Sequence, residues 1–236
     1  IDSAGIQHRM LNSSRGPAVR GPRAQADREL YKKSVYNILK NQENLSIIQA
    51  SVDDLNIVNN NVCGVYLDNL TKVNSKTVVL TTGTFLRGLI RIGNESYPAG
   101  REGEKPSIKL AKKIESLKFS IGRLKTGTPP RIEKISIDFN SLEEQTPDMH
   151  PTPFSFINNI INIPQISCYI THTNEKTHKI ISENIHLSPM YSGENNSTGA
   201  RYCPSIEDKI SKFSSKRSHQ IFLEPEGLKS NIIYPN

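Results

Sequence analysis

Residues Thr77 to Thr84, reading Thr-Val-Val-Leu-Thr-Thr-Gly-Thr, constrain the fold of this chain more than any other segment. An apolar, β-branched run that stops at Thr-Gly predicts a buried parallel strand whose C-terminal end meets a ligand. The segments before it are shorter. Leu45–Ala50, Leu55–Val58 and Val62–Leu67 each predict a strand, with turns at Asn59-Asn60-Asn61 and Asp68-Asn69. Residues 26–42 predict a helix that starts near Asp27, with Leu30, Val35, Ile38 and Leu39 at helical spacing. Arg28, Lys32, Lys33 and Lys40 form its solvated face. The expected class is α/β.

Short meander strands feeding a run such as 77–84 occur in flavin-binding two-dinucleotide folds. Residues 86–105 read as a long loop, and long loops in compact domains are often functional. Ser107 is positioned to cap a helix whose apolar face carries Ile108, Ala111, Ile114 and Leu117. A strand is expected over Phe119–Leu124, running into the rigid basic turn Lys125-Thr126-Gly127-Thr128-Pro129-Pro130-Arg131. That turn suits a phosphate, a pterin carboxylate or a hinge. Residues 138–165 read as loop, Ile166–Thr171 as strand, Asn174–Asn184 as helix and His219–Leu223 as strand. His172 and His178 are too loosely spaced for a metal site and read as surface or hydrogen-bonding histidines.

Charge narrows the partners. The chain of 236 residues carries a formal net charge of +7, which favours a polyanionic partner or an anionic cofactor. Residues 1–25 place Arg9, Arg15, Arg20 and Arg23 among Gly and Pro, as in an extended basic loop that touches phosphates. Three cysteines without paired spacing argue against a disulfide framework and for a reducing compartment. No apolar run is long enough to cross a membrane. Residue 1 is Ile, and both ends read as cut, so a fragment is expected.

The cysteines differ in company. Cys63 and Cys168 sit in apolar runs and read as small hydrophobes on strands. Cys203 lies in Arg201-Tyr202-Cys203-Pro204-Ser205-Ile206-Glu207-Asp208-Lys209. Ser205 is placed as an N-cap, with Asp208 completing a box-like pattern. A thiol at a helix start beside Arg201 and Lys209 has two reasons for a lowered pKa. The segment fits a nucleophilic or proton-transferring thiol and an ordinary loop cysteine equally well.

Long motifs then carry a resemblance. Leu11-Asn12-Ser13-Ser14-Arg15-Gly16-Pro17-Ala18-Val19-Arg20, Arg23-Ala24-Gln25-Ala26-Asp27-Arg28, Gly122 through Arg131, Cys168-Tyr169-Ile170-Thr171-His172-Thr173-Asn174, Arg201 through Lys209, and His219-Gln220-Ile221-Phe222-Leu223-Glu224-Pro225-Glu226-Gly227 together resemble the MnmG (GidA) family. These are tRNA uridine 5-carboxymethylaminomethyl modification enzymes. The resemblance runs along the whole chain in order.

The resemblance implies a cytoplasmic, FAD-dependent enzyme, homodimeric within a heterotetramer formed with the GTPase MnmE. It modifies C5 of the wobble uridine in tRNA, with methylene-tetrahydrofolate as carbon donor and NADH as reductant. The implied fold is a glutathione-reductase-like FAD/NAD-binding fold with an inserted α+β domain. Residues 1–130 would be the partial FAD-binding domain. Residues 131–236 would be the inserted NAD/substrate domain, incomplete at its C-terminus.

By residue, Cys203 matches one of the family's two functional cysteines, with Arg201 and Lys209 as its electrostatic partners. Gly199, Ala200, Arg201, Tyr202, Cys203, Pro204, Ser205, Ile206, Glu207, Asp208, Lys209, Ile210, Ser211, Lys212 and Phe213 match the segment assigned to the nicotinamide nucleotide. Val52 and Ser107 match FAD contacts, and Gly83 and Thr84 lie where such folds pass close to the cofactor. No metal is implied.

Three departures accompany the resemblance. The family's N-terminal Gly-x-Gly-x-x-Gly loop, its other functional cysteine and its C-terminal part are all absent. Ala200 stands where a proline is usual. Weak FAD binding by this chain alone is the expectation. Two other readings remain open: a truncated non-catalytic remnant with residual RNA or nucleotide binding, and the related folate- and FAD-dependent tRNA uridine methyltransferase.

Overall fold

The computed structural model describes residues 1–93, 95–188, 191 and 204–236. Helices and strands mix along the chain, and every strand pair among the described residues is antiparallel. The chain divides into two compact units that interleave in sequence. One combines Ile1–Leu45, Gly127–Ser182 and Ser205–Asn236; the other combines Ser46–Thr126 and Glu183–Pro204. They do not coincide with the 1–130 and 131–236 segments.

The reason for the interleaving lies in the first 26 residues. These form a hairpin, not the loop that their Arg, Gly and Pro content suggested. Strand β1 (Gly5–Leu11) pairs with β2 (Gly21–Ala26), from Gly5 opposite Ala26 to Leu11 opposite Gly21. The base of β1 is wholly buried: Ile6 is fully enclosed, and Gln7 and His8 are nearly so. Its backbone then bonds forward in sequence. Ile166 N donates to Ile6 O at 2.7 Å, and Asp148 N to His8 O at 2.9 Å. Gln165 accepts from His8 N and donates to Gly5 O. Buried backbone groups need such partners, and here the partners come from residues 145–166.

Helix α1 (Arg28–Lys40) follows. Asp27 caps it by accepting from Leu30 N through one carboxylate oxygen, while the other accepts from Leu228 N at 2.8 Å. Gly227 is required beside it, because a Cβ there would lie 2.8 Å from Asp27 Oδ2. Asp27 thus ties the start of α1 to the far end of the chain. Asp27→Ala removes a cap and leaves the Leu228 amide without its partner. A loss of about 2–4 kcal/mol is expected from the two effects together, read as the midpoint in a urea titration.

Five strands complete this unit. They are β8 (Ile132–Glu133), β9 (Glu143–Gln145), β10 (Cys168–His172), β11 (Gln220–Pro225) and β12 (Ile232–Pro235), in the order β8-β12-β11-β10-β9. Cys168, Ile170, Leu223 and Ile233 form the core of the sheet. Helices α3 (Glu175–Asn184) and α4 (Ile206–Lys212) belong to the segments that flank it in sequence. Arg23 pairs with the buried Glu224 and lies over the Phe222 ring. Glu226 receives both Arg28 and Arg131. These pairs join the N-terminal hairpin region to β11 and the turn after it.

In the second unit, β3 (Val52–Val58), β4 (Asn61–Leu67) and β5 (Lys72–Asn74) make a meander. Asn59 and Asn60 turn between β3 and β4 with φ of 49° and 63°, the left-handed pair that a two-residue hairpin needs. Gly64 has φ of 138°, and a Cβ there would meet Val73 O. Residues 86–105, expected as loop, contain a second hairpin of β6 (Leu89–Ile92) and β7 (Glu95–Pro98). Helix α2 (Ile108–Ser116) buries Leu110 and Ala111.

Three expected strands are corrected. Leu45–Ala50, Thr77–Thr84 and Phe119–Leu124 are not strands in any of these sheets. Ile47, Ile48, Val79 and Phe119 are more than half exposed. Residues 46–50 and 78–81 make no backbone–backbone hydrogen bond among the described residues. Their β-branched composition is strand-like, but a parallel strand exists only through neighbours. Among the described residues of this unit the strands pair only as antiparallel hairpins, and the parallel bridge between Leu86 and Ser107 lies outside these three segments.

Candidate functional site

Val52 and Ser107, matched to flavin contacts, and Gly83 and Thr84, expected close to the cofactor, lie in segments that contact helix α2 or its start. Ser107 is its N-cap and donates its backbone N–H to Phe85 O at 2.8 Å. Leu86 and Ser107 form a parallel bridge, and Arg87 N donates to Ser107 O. The turn Thr82-Gly83-Thr84-Phe85, closed by Phe85 N on Thr82 O, therefore abuts the helix start. Val52 opens β3, and the next residue, Asp53, accepts from Lys109 of the first turn of α2 at 2.6 Å. One residue on, Asp54 pairs with Lys113. These contacts join the turn at 82–85 to the start of α2, and the first residues of β3 to the first two turns of the same helix.

The local chemistry suits an anionic ligand. The Ser107 hydroxyl makes no capping bond, and among the described residues no side chain accepts from the first amides of α2. Such amides and the helix dipole favour an anion. Gly83 has φ of 54° and open space where a Cβ would point, so backbone is presented without a side chain in the way. Thr84 is different, because its hydroxyl is spent on Gly100 O at 2.9 Å. It fixes the turn.

Two residues that support this turn were not singled out from sequence. A Cβ on Gly88 would lie 2.2 Å from Ala99 O and 2.6 Å from Thr84 O. A Cβ on Gly100 would enter the Phe85 ring. The glycine content of 86–105 was the available signal, and it was legible only as a loop. Close by, an open cleft of about 620 Å³ lies between the meander and α2, lined by Asp53, Asp54, Tyr66, Leu67, Leu70, Lys109, Lys112 and Lys113. None of the four flavin-matched residues lines it.

The second candidate region is α4 and the residues before it. Gly199, Ala200, Arg201, Tyr202 and Cys203 lie outside the described residues. From Pro204 onward the helix start agrees with expectation. Ser205 is the N-cap, its hydroxyl accepting from Asp208 N at 3.3 Å. Asp208, nearly buried, pairs with Lys212 at 2.9 Å. Ile210 is buried, Ser211 and Phe213 are exposed, and Ile206, Glu207 and Lys209 are half-buried.

His219 lies one residue before β11. That imidazole is 8% exposed, stacks on His178 at 5.3 Å, and its Nε2 has no hydrogen-bond partner among the described residues. Thr173 joins the pair, its hydroxyl accepting from His219 N at 2.8 Å and lying 2.7 Å from His178 Nε2. Burial, then His178, Lys209 and Lys216, hold the pKa of His219 below its ordinary value. The unfolded chain therefore binds the proton first, and stability falls as pH drops below about 6.5. A steeper fall in Tm between pH 7 and pH 5 for wild type than for His219→Gln is expected; parallel curves would contradict it.

Cys168 and Cys63 behave as read. Cys168 is fully buried in β10, and burial pushes its thiol up to about 11, against the opposing charge of Arg23. Cys63 lies on β4, half-buried. Among the described residues no cluster of His, Cys, Asp or Glu is arranged to hold a metal, and no helix is long and apolar enough to cross a membrane.

Comparison with known proteins agrees with this architecture. The family described as Glucose inhibited division protein A matches residues 1–236. The structure of Aquifex aeolicus GidA in its form I crystal superposes with a TM-score of 0.91 at 46% identity, covering 100% of this chain and 40% of that one. The form II crystal gives 0.89 at 45% identity, covering 100% of this chain and 38% of that one. The chain belongs to the Glucose inhibited division protein A family. It spans about two fifths of the length of the solved relatives it matches.

Proposed function

We propose that this chain is part of an FAD-dependent enzyme that modifies tRNA, adding a carboxymethylaminomethyl or aminomethyl group at C5 of the wobble uridine. It acts together with the GTPase MnmE, uses methylene-tetrahydrofolate and NADH, and works in the cytoplasm as a homodimer within a heterotetramer. Its architecture is a glutathione-reductase-like FAD/NAD-binding fold with an inserted α+β domain. The observation that carries the reading is the family match over residues 1–236, together with 46% identity to Aquifex aeolicus GidA across the part of that chain it covers. The attachment of the turn at Gly83 and Thr84 and of the first residues of β3 to helix α2, whose N-cap is Ser107, supports it.

The residues fit an FAD. The first amides of α2 suit a phosphate, the Ser107 hydroxyl is not used in capping, Gly83 leaves backbone accessible, and Val52 presents strand backbone to an adenine. When bound, the flavin supplies the redox chemistry. The residues of this chain do the rest. Cys203 acts on the pyrimidine, either by adding to C6 and so making C5 nucleophilic or by moving the C5 proton. Arg201 and Lys209 favour the thiolate. The segment from Gly199 to Phe213 orients the nicotinamide nucleotide.

Flavin absorbance and thermal shift test the reading. The protein purified with its natural flanking sequence is expected to be yellow and to gain stability with FAD and NADH. The 236-residue chain alone is expected to gain little. A colourless protein that responds to neither nucleotide in either form would favour a non-catalytic remnant.

A further inference from the structure

We propose that the tip of the β1–β2 hairpin is an RNA-contact element that grips tRNA phosphates through Arg15 and Arg20. The proposal rests on the tRNA-modification reading above and names where this chain meets that substrate. From Ser3 to Ala26 there is no Asp or Glu, and every Lys-or-Arg position is Arg, although Lys outnumbers Arg in the chain. Two of these four arginines have structural work. Arg23 is paired with buried Glu224, and Arg9 donates to Thr146 O at 2.5 Å. Arg15 and Arg20 have no acidic partner among the described residues.

The tip is built to display them. Strand pairing ends at Leu11 and Gly21, and two short 3-10 turns, Ser13–Arg15 and Pro17–Val19, cross the end. Asn12, at φ 56°, donates its side-chain amide to Val19 O at 3.2 Å, and Arg15 N donates to Asn12 O at 3.0 Å. Arg20 donates Nε to Ser13 O at 3.2 Å, which orients its guanidinium, and its terminal nitrogens make no hydrogen bond among the described residues. A planar fork held this way matches a phosphate in two-point fashion, as a lysine cannot.

Shape decides which phosphate. Residues 12–15 and 17–20 are all exposed. A small cavity of about 10 Å³ on the same hairpin, lined by His8, Arg9, Pro22 and Phe154 among others, includes neither Arg15 nor Arg20. A dinucleotide needs a concave site that covers most of its surface. A charged exposed tip instead suits a polymer backbone, which is held by point contacts and counterion release.

Filter binding of bulk tRNA to the purified protein, from low to high salt, tests this. Arg15→Ala/Arg20→Ala is expected to fold normally and to lower the slope of log K against log salt by about 1 for each arginine. Arg15→Lys/Arg20→Lys keeps the slope but binds more weakly. An unchanged slope and affinity in the alanine variant overturn the proposal and leave the wider reading standing. A variant that loses FAD or NADH affinity while its tRNA curve is unchanged also overturns it, placing the arginines on a cofactor. Wild-type protein that holds no tRNA even at low salt overturns the wider reading, and this one with it.

Discussion

A Cys203→Ser protein is expected to lose wobble-uridine modification while still holding its flavin. The flavin-matched residues, from Val52 to Ser107, lie in segments that contact α2 or its start, whereas Cys203 lies two residues before the N-cap Ser205 of α4. Replacing sulfur by oxygen there leaves Ser205, Asp208 and the buried Ile210 in place, so the helix start survives. What disappears is the thiol, the stronger nucleophile of the two groups. If Cys203 moves the C5 proton, about 10²–10⁴-fold in rate is at stake. If it is the nucleophile, the serine variant has no workable substitute and product falls below detection. Nucleoside analysis of tRNA and the visible flavin spectrum separate these losses from misfolding.

Gly88→Ala is expected to damage flavin binding from a position that touches no flavin. The new methyl would sit 2.2 Å from Ala99 O and 2.6 Å from Thr84 O, both backbone atoms. Neither can rotate away, so the turn at 83–85 or the segment at 99–100 must move. Overpacking of this kind costs about 1–3 kcal/mol. The turn carries Gly83 and Thr84, and its Phe85 carbonyl receives the Ser107 amide. If the strain is released by shifting that turn, FAD affinity falls by about tenfold for each 1.4 kcal/mol lost. Gly103→Ala, whose Cβ would meet open space, is the control, although its φ of 75° carries a strain of its own. An FAD titration of both variants showing equal Kd values would remove Gly88 from the site.

Local chemistry in the sequence foretold the features that local chemistry decides. Asp27 before an apolar-periodic run became the N-cap of α1, and Asn59-Asn60 became a left-handed hairpin turn. Ser205 with Asp208 became the start of α4, and Cys168 became a buried strand residue. Features set by distant partners were not legible. Strands β1 and β2 looked like a loop, because Gly, Pro and Arg hid the burial of Ile6 and His8, which depends on residues 145–166. Strand β7, Glu95-Ser96-Tyr97-Pro98, is exposed throughout and carries no alternation to read. Thr77–Thr84 erred the other way, since β-branched residues state a preference that only neighbours can realise. At the flavin-matched site, Ser107 was visible as a cap, while Gly88 and Gly100 matter through contacts that no spacing announces.

The most direct test is the nucleoside content of tRNA from cells that lack this gene. Unsubstituted wobble uridine is expected in place of the C5-modified nucleoside, restored by the wild-type gene and not by Cys203→Ser. A normal level of the C5-modified nucleoside in the deletion strain would contradict the account.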